Sequence, residues 1–309
     1  MKKIAILGAT GHIAKSLIYN FKKLDNYNLY LFARSTEKLE NFLKIINYDE
    51  KIEKIDLKNF NNEKYDIIIN CIGIGGPGKL ENIGQEIFRI TEYFDNLILN
   101  YLENKKNCKY INFSSGAVYG SDFSNPVDHL KCFKINVNNI CNKDNYGIVK
   151  LYSEVKHRAY DRFNIIDLRV FNFFSRFIDQ STKYLITEII SCIKKGVEFE
   201  TDENNIIRDY IHPLDLFNLV CIFIDTKGTN DAFDTYSLKP ITKFEILNYF
   251  AKEYGLIYKV KSDVMQFSKA GVKRSYYSLN KKAESFGYAP KFSSIDSIAQ
   301  ETKEILKKV

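Results

Sequence analysis

A chain of 309 residues, 45% hydrophobic and 27% charged, can bury a large core and has the balance of an ordinary soluble globular protein. Its net charge of +7 comes from lysines scattered over alternating helix faces, so nucleic-acid binding is not expected and attraction of anionic small molecules is. No run approaches the roughly 20 apolar residues of a membrane span, and the opening apolar run is too short and too broken for a signal peptide. Cys71, Cys108, Cys132, Cys141, Cys192 and Cys221 make no C-x-x-C pair and share no metal-ligand spacing with the four histidines. No metal site is expected, and a reduced, cytoplasmic compartment is.

Lys3–Leu7 predicts a buried strand that runs straight into Gly8-x-x-Gly11-x-x-Ala14, with a helical pattern over His12–Lys23. Small residues at those three places let the backbone approach a diphosphate and aim the helix N–H groups at its charge. Gly8, Thr10, Gly11, His12 and Ile13 are therefore candidate cofactor residues; the plain alternative is a tight turn with no ligand. The second strand, Leu29–Phe32, leads through Ala33-Arg34-Ser35 into a helix over Thr36–Ile46. Strands that select NAD usually end in an acid that binds the ribose 2′-hydroxyl, and Ala33 stands there instead. Arg34 and Ser35 could receive a 2′-phosphate, so NADP(H) is the expected cofactor and NAD(H) the second choice.

Further strands are predicted at Lys51–Ile55, Asp66–Cys71, Tyr110–Phe113 and Ile165–Val170, and helices at Ile83–Leu102 and Tyr146–Phe163. Asp56 and Leu57, and then Cys71, Ile72 and Gly73, follow two of these strands on the cofactor side. The repeated βα units imply an α/β fold with a doubly wound parallel sheet. After Val170 a helix over Ser181–Lys195, a strand near Val197–Phe199 and a helix over Pro213–Ile224 suggest a smaller mixed α/β lobe. The expected division is a dinucleotide-binding domain at 1–171 plus 212–236, and a substrate lobe at 172–211 plus 237–309.

Tyr146 and Lys150, four residues apart, share one face of their helix. A tyrosine with an ordinary pKa of about 10 is a poor base near neutrality, and a neighbouring ammonium favours its phenolate. A serine nearby would hold the substrate oxygen in line. The same spacing recurs at Tyr101/Lys105 and Tyr152/Lys156, but only Tyr146 opens its own helix shortly after a strand that ends in Ser114-Ser115.

On these motifs the chain resembles the extended short-chain dehydrogenase/reductase family over nearly its full length, a family that acts largely on nucleotide sugars. Gly8-Ala-Thr-Gly11 is similar to its cofactor motif, Ser114-Ser-Gly-Ala-Val-Tyr-Gly120 to its Ser-bearing strand end, and Tyr146-Gly-Ile-Val-Lys150 with Glu154 to its active-site helix. The resemblance implies Ser115, Tyr146 and Lys150 as the catalytic set, with Lys150 also on the nicotinamide ribose. Leu168-Arg-Val-Phe-Asn172 and Arg208-Asp-Tyr-Ile-His-Pro-Leu-Asp215 resemble substrate-side motifs, and Arg274 lies in a segment similar to one that carries a phosphate-contacting arginine. Asn172, Arg208 and Arg274 are thus implied to bind substrate; an Arg208–Asp215 ion pair is the structural alternative. Phe-Phe-Ser-Arg176 after Asn172 and Thr201-Asp-Glu203 before Arg208 depart from the family's pattern, and Phe88–Leu97 holds no counterpart of its helix asparagine.

Gly116-Ala117 replaces the Asp-Glu pair that family dehydratases carry after the catalytic Ser/Thr. With Arg34, this favours an NADPH-dependent reductase of a keto nucleotide sugar, such as a 4-keto-6-deoxy sugar, in deoxysugar or surface-polysaccharide biosynthesis. The alternative is an NAD-dependent nucleotide-sugar 4-epimerase. A non-enzymatic binding protein would have no use for the aligned Ser115, Tyr146 and Lys150. The partner expected is the nucleotide-sugar substrate, with a homodimer admitted and no nucleic acid or membrane.

Overall fold

Alternate residues of a strand face opposite sides of its sheet, and in this chain both sides are apolar. Ile4 and Ile6 of β1 (Lys2–Leu7) join one buried cluster, whereas Ala5 and Leu7 join the other. The same alternation runs through β2 (Tyr27–Phe32), β4 (Ile67–Asn70), β5 (Lys109–Ser115) and β6 (Asn164–Val170). With β3 (Glu53–Lys54) and β7 (Asp231–Asp234) these form a seven-stranded, wholly parallel sheet in the order β7-β6-β5-β4-β1-β2-β3. The strand order reverses between β1 and β4, where Leu7 stands opposite Asn70. The computed structural model describes residues 1–48, 53–54 (backbone only), 57–73, 83–142, 144–261 and 273–307.

Helices α1 (His12–Phe21), α2 (Thr36–Ile45), α3 (Glu86–Asn104) and α4 (Asn145–Ala159) follow their strands as predicted, with shifted ends. Helix α4 stops four residues before the predicted Phe163 because the Asn230 side chain donates to the His157 and Tyr160 carbonyls. Helix α5 (Leu185–Lys195) starts later than predicted, since Ser181 and Thr182 are held in a turn on Asp179. Gly196, at φ +65°, closes that helix, so the next strand begins at Phe199 and runs to Thr201. Helix α6 (Pro213–Asp225) returns to the main sheet, packing Leu216, Leu219 and Phe223 into the first cluster. A separate core joins α5 to α7 (Lys243–Tyr254) and α8 (Ser294–Leu306) through Ile189, Phe250 and Ile298. Three two-residue strands, Ile207–Arg208, Ile241–Thr242 and Ser275–Tyr276, make a small sheet beside it. Among the described residues no helix is long and apolar enough to cross a membrane, and all six cysteines are free.

The face that α4 turns to the sheet is polar rather than apolar. Lys150 donates to the Phe113 carbonyl at 2.8 Å, and Glu154 accepts from the Ser114 hydroxyl at 2.5 Å. One turn further, the fully buried His157 ring lies between Asp95 (2.7 Å) and Asp167 (2.9 Å). Asn112 donates to Asp167, Tyr110 to Asp95 and Asn70 to Tyr110, so the network crosses from α3 and α4 to three strands. It ends at the cofactor side, where the Asn70 carbonyl oxygen of the side chain accepts from Ile72 N–H at 3.0 Å. Gly147 allows the helix this close: a Cβ there would sit 2.7 Å from the Ala117 carbonyl oxygen.

Burial alone would push the His157 imidazole down, but the charges of Asp167 and Asp95 outweigh it and raise the group to about 9. A folded-state value above the ordinary 6.5 means stabilisation that is full below about pH 6.5 and fades as pH rises through 9. His157→Gln is predicted to destabilise the protein by about 3 kcal/mol at pH 6, with the gap to wild type narrowing by pH 10 in denaturant titrations. Gly147→Ala should cost about 1–3 kcal/mol through the clash with Ala117, read as a lower melting temperature.

Candidate active site

At the reversal point the two glycine-bearing turns meet. Gly8 has φ +74°, and a Cβ on it would lie 3.1 Å from the Cys71 carbonyl carbon and oxygen. Gly11 N–H donates to the Gly8 carbonyl at 2.8 Å, which folds the loop tightly before α1 starts at His12. Ala9 N–H donates to Phe32 O, drawing the end of β2 to the same turn. The loop thus presents half-buried Thr10, His12 and Ile13 at a helix N-terminus beyond the carboxyl ends of β1 and β4, and this geometry fits a dinucleotide diphosphate. Cys71 and Ile72 are half-buried and Gly73 is exposed, and burial pushes the Cys71 thiol well above its usual range.

His12 also touches the second lobe. Its Nε2 shares a 2.8 Å hydrogen bond with the Ser175 hydroxyl, and its ring lies 4.8 Å from that of Phe173. Burial pushes its pKa down to about 3, so the ring is neutral. Arg34 is exposed at the end of β2 and Ser35 caps α2, accepting from Lys38 N–H at 3.3 Å. Leu57 is half-buried against the second cluster; Asp56 lies outside the described residues, as do Lys51, Ile52 and Ile55 of the predicted strand around β3.

Ser115 ends β5, opposite Val170 of β6, and is buried. Its Oγ accepts from Ala117 N–H at 3.2 Å and lies 3.3 Å from the Tyr276 hydroxyl. Gly116 has no room for a side chain, since a Cβ would fall 2.5 Å from the Phe171 ring. Tyr146, half-buried in the first turn of α4, is near enough to Tyr276 and Tyr184 to raise both phenols electrostatically, behind the larger effect of burial. Lys150 is buried, and its Nζ comes within 3.6 Å of where a Gly73 Cβ would stand. The fold therefore sets Ser115 against the Tyr276 hydroxyl, Tyr146 within electrostatic range of that phenol, and Lys150 between β5 and the Gly73 turn. Glu154 locks this end of the helix, taking Arg169 as a two-oxygen partner while Arg169 also donates to Tyr119 at 2.8 Å.

On the substrate side Asn172 Nδ2 donates to the Asp209 and Tyr276 carbonyls. Arg208 stands opposite Tyr276 in the small sheet and donates to the Ile207 and Lys273 carbonyls, both at 2.8 Å. It does not pair with Asp215, which accepts from Lys291 and Phe292 N–H groups instead. Among the described residues no carboxylate pairs with Arg208, and burial pulls its pKa down. The Arg274 side chain is exposed, whereas that of Lys273 turns inward, its Nζ 4.5 Å over the Tyr276 ring. Burial, and then the Arg208 charge, bring Lys273 down to about 8. Lys273 and Tyr276 escaped the sequence reading because their neighbours are strand partners distant in the chain. Asp95 lies within the helix segment searched for an asparagine, and its pairing with His157 spans 62 positions.

Comparison with known proteins shows the family and the fold. The profile of the NAD dependent epimerase/dehydratase family matches residues 4–238. A bifunctional UDP-glucose 4-epimerase and UDP-xylose 4-epimerase of Arabidopsis thaliana is 27% identical over 258 residues, 74% of this chain and 69% of that protein. In fold, the chain is similar to a UDP-glucose 4-epimerase of Stenotrophomonas maltophila solved with NAD and formylated UDP-arabinopyranose (TM-score 0.82, 13% identity, 100% of this chain and 98% of that one). It is similar also to the Bifidobacterium longum UDP-glucose 4-epimerase solved with NAD+ and UDP (TM-score 0.76, 20% identity, 99% and 98%). With a doubly wound sheet, a glycine turn at its reversal point and a family match over three quarters of its length, the chain belongs to the NAD dependent epimerase/dehydratase family of short-chain dehydrogenase/reductase-type enzymes.

Proposed function

We propose that this protein is an NAD-dependent nucleotide-sugar 4-epimerase, with a UDP-linked pyranose as its first candidate substrate. The observation that carries the reading is the similarity, over 74% of the chain, to a bifunctional UDP-glucose and UDP-xylose 4-epimerase; the placing of Ser115 at the end of β5, and of Tyr146 and Lys150 on the helix packed beside it, supports it. Gly116-Ala117 after Ser115 leaves no carboxylate pair for dehydration, which supports epimerisation within the same family.

In this reading Tyr146 takes the proton from the sugar O4 and later returns it. Ser115 holds that oxygen in line with Tyr146. Lys150, its ammonium fixed on the Phe113 carbonyl, supplies positive charge beside the phenol and reaches the ribose past Gly73. A bound NAD would supply reversible hydride transfer at the sugar C4, which would allow inversion of that centre with no net redox change. The Gly8–Ile13 turn holds the cofactor diphosphate, and Asn172, Arg208 and Arg274 belong to the second lobe that holds the substrate. That lobe comprises residues 172–211 and 237–309, with 1–171 and 212–236 as the cofactor domain.

Ala33 and the exposed Arg34 favour a second reading, an NADPH-dependent ketoreductase of deoxysugar biosynthesis. One experiment separates the two. Purified protein is given UDP-glucose, UDP-xylose and UDP-glucuronic acid in one arm and NADPH with a 4-keto-6-deoxy nucleotide sugar in the other, products are resolved by NMR, and the cofactor released on denaturation is identified. The epimerase reading predicts interconversion of 4-epimers without added cofactor, with NAD released. Stoichiometric NADPH oxidation by a 4-keto sugar, with no epimer from any substrate, would establish the reductase instead. Tyr146→Phe should lower turnover by about 10³-fold while leaving the amount of bound cofactor unchanged.

A further inference from the structure

Ser115 has an unusual companion. Its side-chain oxygen has two acceptor lone pairs and a single proton. Ala117 N–H, at 3.2 Å, fills one lone pair. The Tyr276 hydroxyl, at 3.3 Å, reaches the same oxygen from the second lobe, 161 positions away in the chain. If Ser115 spent its proton on Tyr276, it would have none for a sugar oxygen. If Tyr276 donates, both Ser115 lone pairs are filled, and its proton is free to point only into the pocket.

We propose that Tyr276 is a positioning residue for the reaction, donating to Ser115 Oγ and thereby making Ser115 an obligate hydrogen-bond donor to the oxygen borne by the carbon that is oxidised and reduced. This rests on the reading of Ser115, Tyr146 and Lys150 as the reaction centre. The ring is built in firmly: it packs at 4.6 Å on Phe123 and 5.2 Å on Phe171, and its backbone carbonyl accepts from Asn172. Burial and the nearby Tyr146 hold the phenol above its usual range, so it keeps the proton it donates. The two faces of the role are separable. The ring supports Lys273 and Arg208 above it, whereas only the hydroxyl touches Ser115.

Tyr276→Phe keeps the ring and removes the hydroxyl. The expected result is a kcat about tenfold lower, with KM for the nucleotide sugar, UDP affinity by calorimetry and melting temperature unchanged. Because Tyr276 acts through Ser115, the same substitution in a Ser115→Ala background should change kcat no further. Equal or higher kcat for Tyr276→Phe, or losses that multiply in the double variant, would overturn the assignment. Full activity of Ser115→Ala alone would instead remove the underlying reaction centre, and the proposal with it.

Discussion

The packing of one polar helix face against the sheet governs both the stability and the candidate site of this protein. Lys150, Glu154 and His157 follow one another down α4, and each is buried against β5 or β6. Charged groups out of water are tolerable only when paired and hydrogen-bonded. Here Phe113, Ser114, Arg169, Asp95 and Asp167 supply those partners. An apolar helix would pack as well but would slide by a turn at little cost. The polar stripe has one register, and that register fixes Tyr146 in the first turn of the helix, near Tyr276, and Lys150 beside the Gly73 turn. The same network reaches the cofactor side through Tyr110, Asn70 and Ile72, so support for the helix and support for the Cys71–Gly73 turn are a single structure.

Residues beyond β6 meet the carboxyl end of the sheet on both sides of the candidate site. His12 meets Phe173 and Ser175 at the cofactor end, and Tyr276 meets Ser115 at the reacting end. Between them Arg208 and Lys273 bring two desolvated cations over one tyrosine ring. Burial pulls both below their ordinary pKa values, and among the described residues neither is paired with a carboxylate. Under the proposed reading the substrate diphosphate would offset that cost.

Much of this was legible in the sequence where the determinants are local. The glycine turn, the strand ending in Ser115 and the Tyr146–Lys150 spacing each lie within a dozen residues, and the alternating βα rhythm gives the parallel sheet. Element ends were less legible, because Asn230 stops α4 and Gly196 with Asp179 bounds α5, and none of these residues sits inside the element it bounds. The polar network was not legible at all. Asp95, His157 and Asp167 are scattered along two helices and a strand, and nothing in their spacing predicts that they converge. The substrate side was read from motifs that favour Arg274, while the fold turns its neighbour Lys273 inward. The choice of reaction also moved: Ala33 and Arg34 inclined the sequence reading to an NADPH reductase, and the likeness to UDP-sugar 4-epimerases gives more weight to its alternative.

The central claim is that the pocket passes a hydride from the sugar to a retained cofactor and back to the same carbon. The most direct measurement is a label-tracing experiment with UDP-glucose deuterated at C4 and unlabelled UDP-xylose turned over together. The account predicts that deuterium stays at C4 of the UDP-galactose formed, with none in the pentose and none lost to solvent. Deuterium found on free nicotinamide cofactor, or exchanged with solvent, would contradict it.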